Sequence, residues 1–285
     1  EYRRQRQMCI RDRASRAILY VVLTIIALYT LSPLAFLLIN SFKTQPEIVS
    51  APLALPSSWD FGHLTGAAEQ INFWKALAIT ALVTLTSVAL LVVVSSLSAW
   101  MMVRNHTRFS NVLLLMFTAA MLVPFQAVMY PLISLMENLQ LKNLLGLIIM
   151  YGGFGLSLSV FLYHGFIKSV PRSVEEAAVI DGCNILQLFF RVVFPLLKST
   201  TVTVIILNAM WIWNDYLLPF LVIGNSDFKT LTLEIYYAKM LSGQYGNPWE
   251  LIFPAVLVSI IPIIIVFLSL QKYFVKGVSD GAVKM

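Results

Sequence analysis

The side chains able to do covalent chemistry are few in this sequence, and their spacing is wrong for it. Its two cysteines, Cys9 and Cys183, form no CxxC pair, and its three histidines, His63, His106 and His164, form no HxxxH or HExxH. Neither a redox centre nor a metal site is supported, since both need their ligands at short, regular intervals. Glu175, Glu176 and Asp181 crowd one stretch and could act as general acids or bases. No nucleophile, histidine or metal ligand accompanies them, so a solvated helix face is the simpler reading. No GxxxxGK[ST] loop occurs, and Gly152-Gly153-Phe154-Gly155 opens no βαβ unit, so the chain itself is not expected to bind ATP. Small residues beside aromatics at that site read as helix packing. Asp215 is different, because it lies within an apolar run together with Asn208, Trp211 and Asn214 at helical spacing. Polar groups beside an aromatic suit sugars, whose hydroxyls need donors and acceptors while the ring face stacks. An ionisable group at membrane depth usually faces a bundle interior or an aqueous path. Pairing with neighbouring helices explains the same residues equally well, and both readings stand.

The elements that position these residues are set by solvent. The 285 residues are 59% hydrophobic and only 12% charged, with a mean hydropathy of +0.80. Ordinary soluble chains are roughly 45–50% apolar and about 25% charged, so soluble enzyme, disordered and disulfide-scaffold classes fall away. Six apolar runs are long enough to cross a bilayer as helices: Ala17–Asn40, Ala76–Val103, Phe109–Leu135, Leu144–Ile167, Thr200–Ile223 and Leu251–Phe274. The expected fold is an all-α membrane protein with six transmembrane helices. The first run is too long for a signal-peptide core and reads as an uncleaved anchor. Residues 1–13 show no periodicity and no starting methionine, and are read as disordered or as not native to the protein.

With both termini cytoplasmic, only Lys43, Lys75, Lys142, Lys229 and Lys239 of the 20 basic residues lie outside, leaving fifteen inside. The positive-inside rule favours that orientation. It divides the chain into a basic N-terminal segment 1–16, a six-span domain 17–274 with a cytoplasmic loop 168–199, and a tail 275–285. The basic N-terminus reads as topology and contact with anionic membrane lipid rather than nucleic-acid binding. The long outer segment Ser41–Lys75, with Pro46, Pro52, Pro56, Gly62 and Gly66, reads as a structured cap or irregular loop.

The inner segment carries the most information. Ser173 followed by Glu176 is a capping-box spacing that predicts a helix starting near Val174. Gly182 then predicts a left-handed stop, and Asn184 with Gln187 a second helix running through Phe190. Ala177 and Ala178 leave one side of the first helix without bulk, open to another protein's surface. Glu176-Ala177-Ala178, then Gly182, then Val192-Val193-Phe194-Pro195 resembles the EAA motif of ABC-importer membrane subunits, with its spacing kept and Val and Phe replacing other apolar residues. Trp213-Asn214-Asp215-Tyr216, Thr230-Leu-Thr-Leu and the C-terminal Gly277-Val-Ser-Asp-Gly-Ala-Val-Lys284 are similar to the maltose-type carbohydrate permeases, in particular the second permease partner.

The resemblance implies a type I importer permease bundle in a bacterial or archaeal cell membrane, with no catalytic residue and no cofactor of its own. It implies a second permease subunit, two ATPase subunits that hold ATP and Mg, and an extracellular sugar-binding protein as partners. The residues it assigns to ATPase coupling are Glu176, Ala177, Ala178, Asp181, Gly182 and Pro195. The set Asn208, Trp211, Asn214 and Asp215 is the candidate substrate path. A self-sufficient ion-coupled carrier is the alternative, although it asks for several buried ionisable relays. The orientation has a direct test. With Cys9 and Cys183 replaced, a single cysteine at Asn105 or Asn184 should be shielded from an impermeant maleimide added outside, while cysteines in 41–75 or 224–250 should react. Labelling of position 105 from outside would overturn it.

Overall fold

The computed structural model describes residues 2–241 and 247–282, with side chains for 16–240, 247–269 and 271. Among them there are helices and turns and no strand. The side chains of Cys9, of the basic residues within 3–13 and of residues 272–282, and the whole of residues 283–285 with Lys284, lie outside the described set. The chain divides into two compact units, 1–70 with 242–258 and 71–241 with 259–285.

In the first unit, helix α1 spans Tyr2–Asn40, so the backbone of residues 2–13 is helical rather than without structure. Its apolar stretch Arg16–Asn40 is long enough to cross a membrane, and most of it is exposed. The segment 41–75 is structured, with short helices α2 (Gln45–Ser50) and α3 (Gly62–Gln70). Its anchor is Lys43, which is fully buried and donates to Asn40 Oδ1 at 3.2 Å, Ala51 O at 2.9 Å and Pro52 O at 3.2 Å. Three acceptors for three ammonium hydrogens make that burial tolerable.

The second unit is built on α4 (Phe73–Arg104) and α7 (Leu144–Ile167), which pack along their lengths. Between them lie α5 (Arg108–Ala120) and α6 (Phe125–Asn138). After α7 come α8 (Arg172–Ile180), α9 (Ile185–Leu196), α10 (Lys198–Asn214), α11 (Leu217–Val222) and α12 (Leu231–Leu241). The last helix, α13, spans Trp249–Ala282, so the tail expected from 275 is backbone-continuous with the final span.

Four helices are uninterrupted, long and apolar enough to span a membrane: Arg16–Asn40, Phe73–Arg104, Leu144–Ile167 and Trp249–Ser269. The count reaches six only if each of two bent pairs is taken as one span, α5 with α6 at 107° and α9 with α10 at 79°. Two of the expected spans are therefore corrected. The run Phe109–Leu135 is not one helix, because Pro124 has no N–H for the carbonyl of Ala120 and its ring opposes a continuing turn. The chain stops at Ala120, whose carbonyl accepts instead from Val123 N at 3.3 Å, and restarts with Pro124 as the cap of α6. The run Thr200–Ile223 ends at Asn214 for a similar reason, since Pro219 leaves the carbonyl of Asp215 without a helical donor.

The interface of α7 with α4 and α10 depends on small residues. A side chain added at Gly155 would stand 2.5 Å from Leu91 Cδ1 and 2.6 Å from Asn208 Oδ1, and one at Gly152 would stand 2.9 Å from Leu90 Cδ2, so these two glycines serve packing. In lipid, where apolar burial gives helices no net attraction, such close approach is what allows dispersion and hydrogen bonds to form. Gly155→Val should lower stability by about 1–3 kcal/mol through overpacking. Gly153→Ala, with open space around it, should change it little. Thermal unfolding of the purified protein in detergent reads both, and equal midpoints would refute the assignment.

Candidate functional site

The helix–turn–helix segment forms as the glycine predicted, with one change at its start. Gly182 has φ +86°, its N–H donates to Val179 O at 3.0 Å, and Cys183 N donates to Ala178 O at 3.0 Å. Those two bonds are the Schellman closure of a helix C-terminus. The second cap also forms, with Gln187 N donating to Asn184 Oδ1 at 2.9 Å and Asn184 N donating to Gln187 Oε1 at 3.1 Å. The Ser173–Glu176 capping box does not form. The helix begins at Arg172 with Pro171 as its cap, so Ser173 already lies inside the first turn and its hydroxyl caps nothing. A cap residue must be extended, and Pro171, at φ −63° and ψ 135°, takes that place first.

The expected pair of small residues divides in the same way. Ala178 is buried against the protein, while Ala177 and Glu176 face outward, so only Ala177 supplies an open surface. Asp181 is the exposed C-cap residue, and Pro195 is exposed near the end of α9. Before Pro195 the helix widens to a π stretch over Leu188–Val193, with Phe194 N donating to Phe189 O. Sequence spacing gave no sign of this extra residue. Exposed Val179, Ile180, Ile185, Leu186 and Phe190 make the outer side of α8 and α9 apolar.

The inward side is held by a residue that the motif does not include. Glu175 is 8% exposed and accepts at Oε1 from Arg104 Nε at 2.9 Å and Nη2 at 2.6 Å. Trp100 Nε1 donates to its Oε2 at 3.2 Å, and Arg104 Nη2 also donates to Val170 O at 3.0 Å. Both carboxylate oxygens are thus occupied. In the sequence Arg104 counted only as a topology charge and Glu175 only as a surface acid. Their partnership crosses 71 positions, a separation at which no local pattern operates.

The residues read as a possible path do not share one face. Asn208 is buried and donates to Ser159 Oγ at 3.0 Å and Val204 O at 2.9 Å, which makes it a polar bond between α10 and α7. Trp211 is exposed, with its ring edge-on to Tyr151 at 5.4 Å. Asn214 is exposed and donates only to Met210 O. Asp215 is half-buried and sits in the break after α10, outside the helix proper. Its Oδ2 accepts from Tyr151 Oη at 3.0 Å, its Oδ1 from Leu217 N at 2.9 Å, and its carbonyl from Thr232 Oγ1 at 2.7 Å. Thr232 thereby takes the place of the N–H that Pro219 lacks.

On the facing side of α4, Thr80 Oγ1 accepts from Leu231 N at 2.9 Å, the first residue of α12. One and two turns further along, the buried hydroxyls of Thr84 and Ser87 have no hydrogen-bond partner among the described residues. On α12, burial pushes the Glu234 carboxyl up from its ordinary range, against the opposing pull of Lys229 and Lys75. No group of three or more metal-ligating side chains occurs among the described residues.

With this geometry in place, comparison with known proteins gives consistent findings. Residues 91–280 match the family described as binding-protein-dependent transport system inner membrane component. The probable starch degradation products transport system permease protein AmyC of Thermoanaerobacterium thermosulfurigenes is 38% identical, over 91% of this chain and 94% of that protein. The multiple sugar-binding transport system permease protein MsmG of Streptococcus mutans is 36% identical, over 93% and 96%. Among solved structures, a bacterial ABC transporter involved in the import of the acidic polysaccharide alginate superposes with a TM-score of 0.79 at 26% identity, covering 92% of this chain and 97% of that one.

The burial pattern separates the four pathway candidates by stability. Asn208→Ala removes a buried interhelical bond and leaves Ser159 without it, which should cost about 0.6–2 kcal/mol. Trp211→Ala and Asn214→Ala, at exposed sites, should stay within about 0.5 kcal/mol. Thermal midpoints in detergent measure the difference, and an unaffected Asn208→Ala would show that its bond to Ser159 contributes nothing.

Proposed function

The chain belongs to the binding-protein-dependent transport system inner membrane component family, and from that premise we propose that it forms half of a carbohydrate translocation pathway driven by partner ATPases. Membership makes it a transport subunit of a multi-pass membrane assembly and disfavours the ion-coupled carrier. The names of its relatives, which refer to starch degradation products, multiple sugars and melibiose, raffinose and stachyose, support a sugar cargo.

The observation that carries the mechanism is the docking segment. Helix α8 ends in a left-handed glycine, is held to the protein on one side by Glu175 and Ala178, and presents an apolar surface on the other. In this reading the exposed side, with Glu176, Ala177 and Ile180, enters a cleft on an ATPase subunit. ATP, with Mg, is held and hydrolysed there. Closure of two such subunits moves α8 and α9, and the helices joined to them shift between inward and outward openings. The second permease supplies the other half of the path, and an extracellular binding protein delivers the sugar. Trp211, Asn214 and Asp215 line this half, with Trp211 offering a ring face and Asp215 an acceptor fixed by Tyr151. Asn208 positions α10 from behind.

Co-purification tests the coupling. Gly182→Pro cannot adopt φ near +86° and should displace the turn. The variant should still insert and pair with its fellow permease, yet lose most ATPase binding and all uptake from a panel of radiolabelled malto- and galacto-oligosaccharides. Glu176→Lys should weaken the ATPase complex without changing helix stability, because Glu176 makes no cap. Full uptake by Gly182→Pro, or failure of the wild-type chain to retain any ATPase subunit, would overturn the reading.

A further inference from the structure

Resting on the coupling role of α8, we infer that Glu175, Arg104 and Trp100 form the joint through which displacement of α8 reaches α4, and that α4 carries it to the other end of the second unit. Docking alone moves a surface helix. Transport requires that a span move with it, so some contact must transmit both push and pull.

Ala178, Leu188, Phe189 and Val193 of α8 and α9 pack in the apolar core, and such non-directional contacts can slide past one another. The carboxylate of Glu175 is different, because all its directions are fixed. Two guanidinium N–H groups hold Oε1 and an indole N–H holds Oε2, all from the last two turns of α4. The same guanidinium reaches Val170 O, so the loop entering α8 is fixed together with the helix. Arg is suited to this, as its planar fork keeps several donors in one rigid geometry. Trp100 adds a ring contact to Phe189 at 5.2 Å, which brings α9 to the same joint. Separating the charges would leave a nearly buried carboxylate unpaired, so α8 and the end of α4 move as one piece.

From Arg104 the helix runs without a break to Thr80, a rise of about 36 Å at 1.5 Å per residue. There Thr80 Oγ1 holds the N–H of Leu231, and the next residue, Thr232, holds the carbonyl of Asp215. The strut therefore joins α8 at one end to the candidate sugar-facing break at the other. Glu175 and Arg104 are positioning residues in this scheme and touch no substrate.

The test uses the assembled complex in nanodiscs: this chain, its partner permease and the ATPase subunits. Cys9 and Cys183 are replaced by serine, and spin labels are placed at Arg172→Cys on α8 and Leu85→Cys on the exposed side of α4. Orthovanadate with ATP and Mg traps the closed ATPase dimer without any sugar. With the joint intact, the interspin distance should be the same before and after trapping. In Glu175→Gln and Arg104→Gln it should shift and broaden on trapping, and the exchange Glu175→Arg with Arg104→Glu should narrow it again. An unchanged, narrow distance in both glutamine variants would overturn the joint while leaving docking intact. A distance that already changes in the intact chain would overturn it too. Loss of co-purifying ATPase in Glu175→Gln would place Glu175 in the docking surface and also overturn it. Absence of ATPase from the wild-type complex would instead refute the coupling reading beneath it.

Discussion

Backbone hydrogen bonding in a medium without water is the constraint on which the rest of this structure depends. Within hydrocarbon each N–H and C=O must find a partner in the protein, and a helix supplies them all until a proline interrupts it. Among the described residues Pro33, Pro131, Pro254 and Pro262 sit inside helices that continue past them, whereas the chain treats Pro124, Pro195 and Pro219 in three other ways. At Pro124 the helix stops and turns sharply, with a short turn satisfying Ala120. At Pro195 the preceding residues widen into a π stretch. At Pro219 the orphaned carbonyl of Asp215 is taken by a hydroxyl from another helix, Thr232. Broken helices of this kind are tolerated in membranes where protein or a water-filled path lies beside them, so the breaks mark where the structure has given up regularity for something else.

The packing around those breaks uses short polar bonds and small residues more than bulk. Asn208 to Ser159, Tyr163 to Thr201 and Thr80 to Leu231 each connect two elements by one hydrogen bond. Each is worth little alone in a membrane, about 0.6 kcal/mol on average, yet each fixes the rotation of one helix against its neighbour. Gly155 brings α7 close to α10, where the first two of these bonds form, and together with Gly152 brings it close to α4. A bundle held in this way has defined contacts and low cost for moving as blocks, which is what a transport subunit requires.

The shortest ion pair among the described residues lies at the other end of α4 from Thr80. The pairing of Glu175 with Arg104 ties a surface helix to the longest internal one. Its exposed counterparts, such as Lys142 with Glu137 at 3.8 Å, are worth little by comparison, because solvent screens them.

The membrane class, the largely helical fold and the helix–glycine–helix segment were determined by the sequence alone, because they follow from composition, run length and local spacing. Gly182 needed no tertiary context to be a stop, since only glycine accepts a positive φ freely, and Asn184 with Gln187 capped the next helix as their spacing required. The local rule failed at Ser173, where Pro171 took the cap first, and at Phe109–Leu135 and Thr200–Ile223, where apolar run length concealed the bends. The tertiary structure alone decided that Ala178 faces inward while Ala177 faces out, that Asn208 belongs to packing while Trp211 stays exposed, and that Asp215 pairs with Tyr151. It alone brought Arg104 to Glu175. The physical reason is the same in each case: a side chain's partner depends on how helices distant in sequence are rotated and stacked, and no periodicity along one segment encodes the rotation of another.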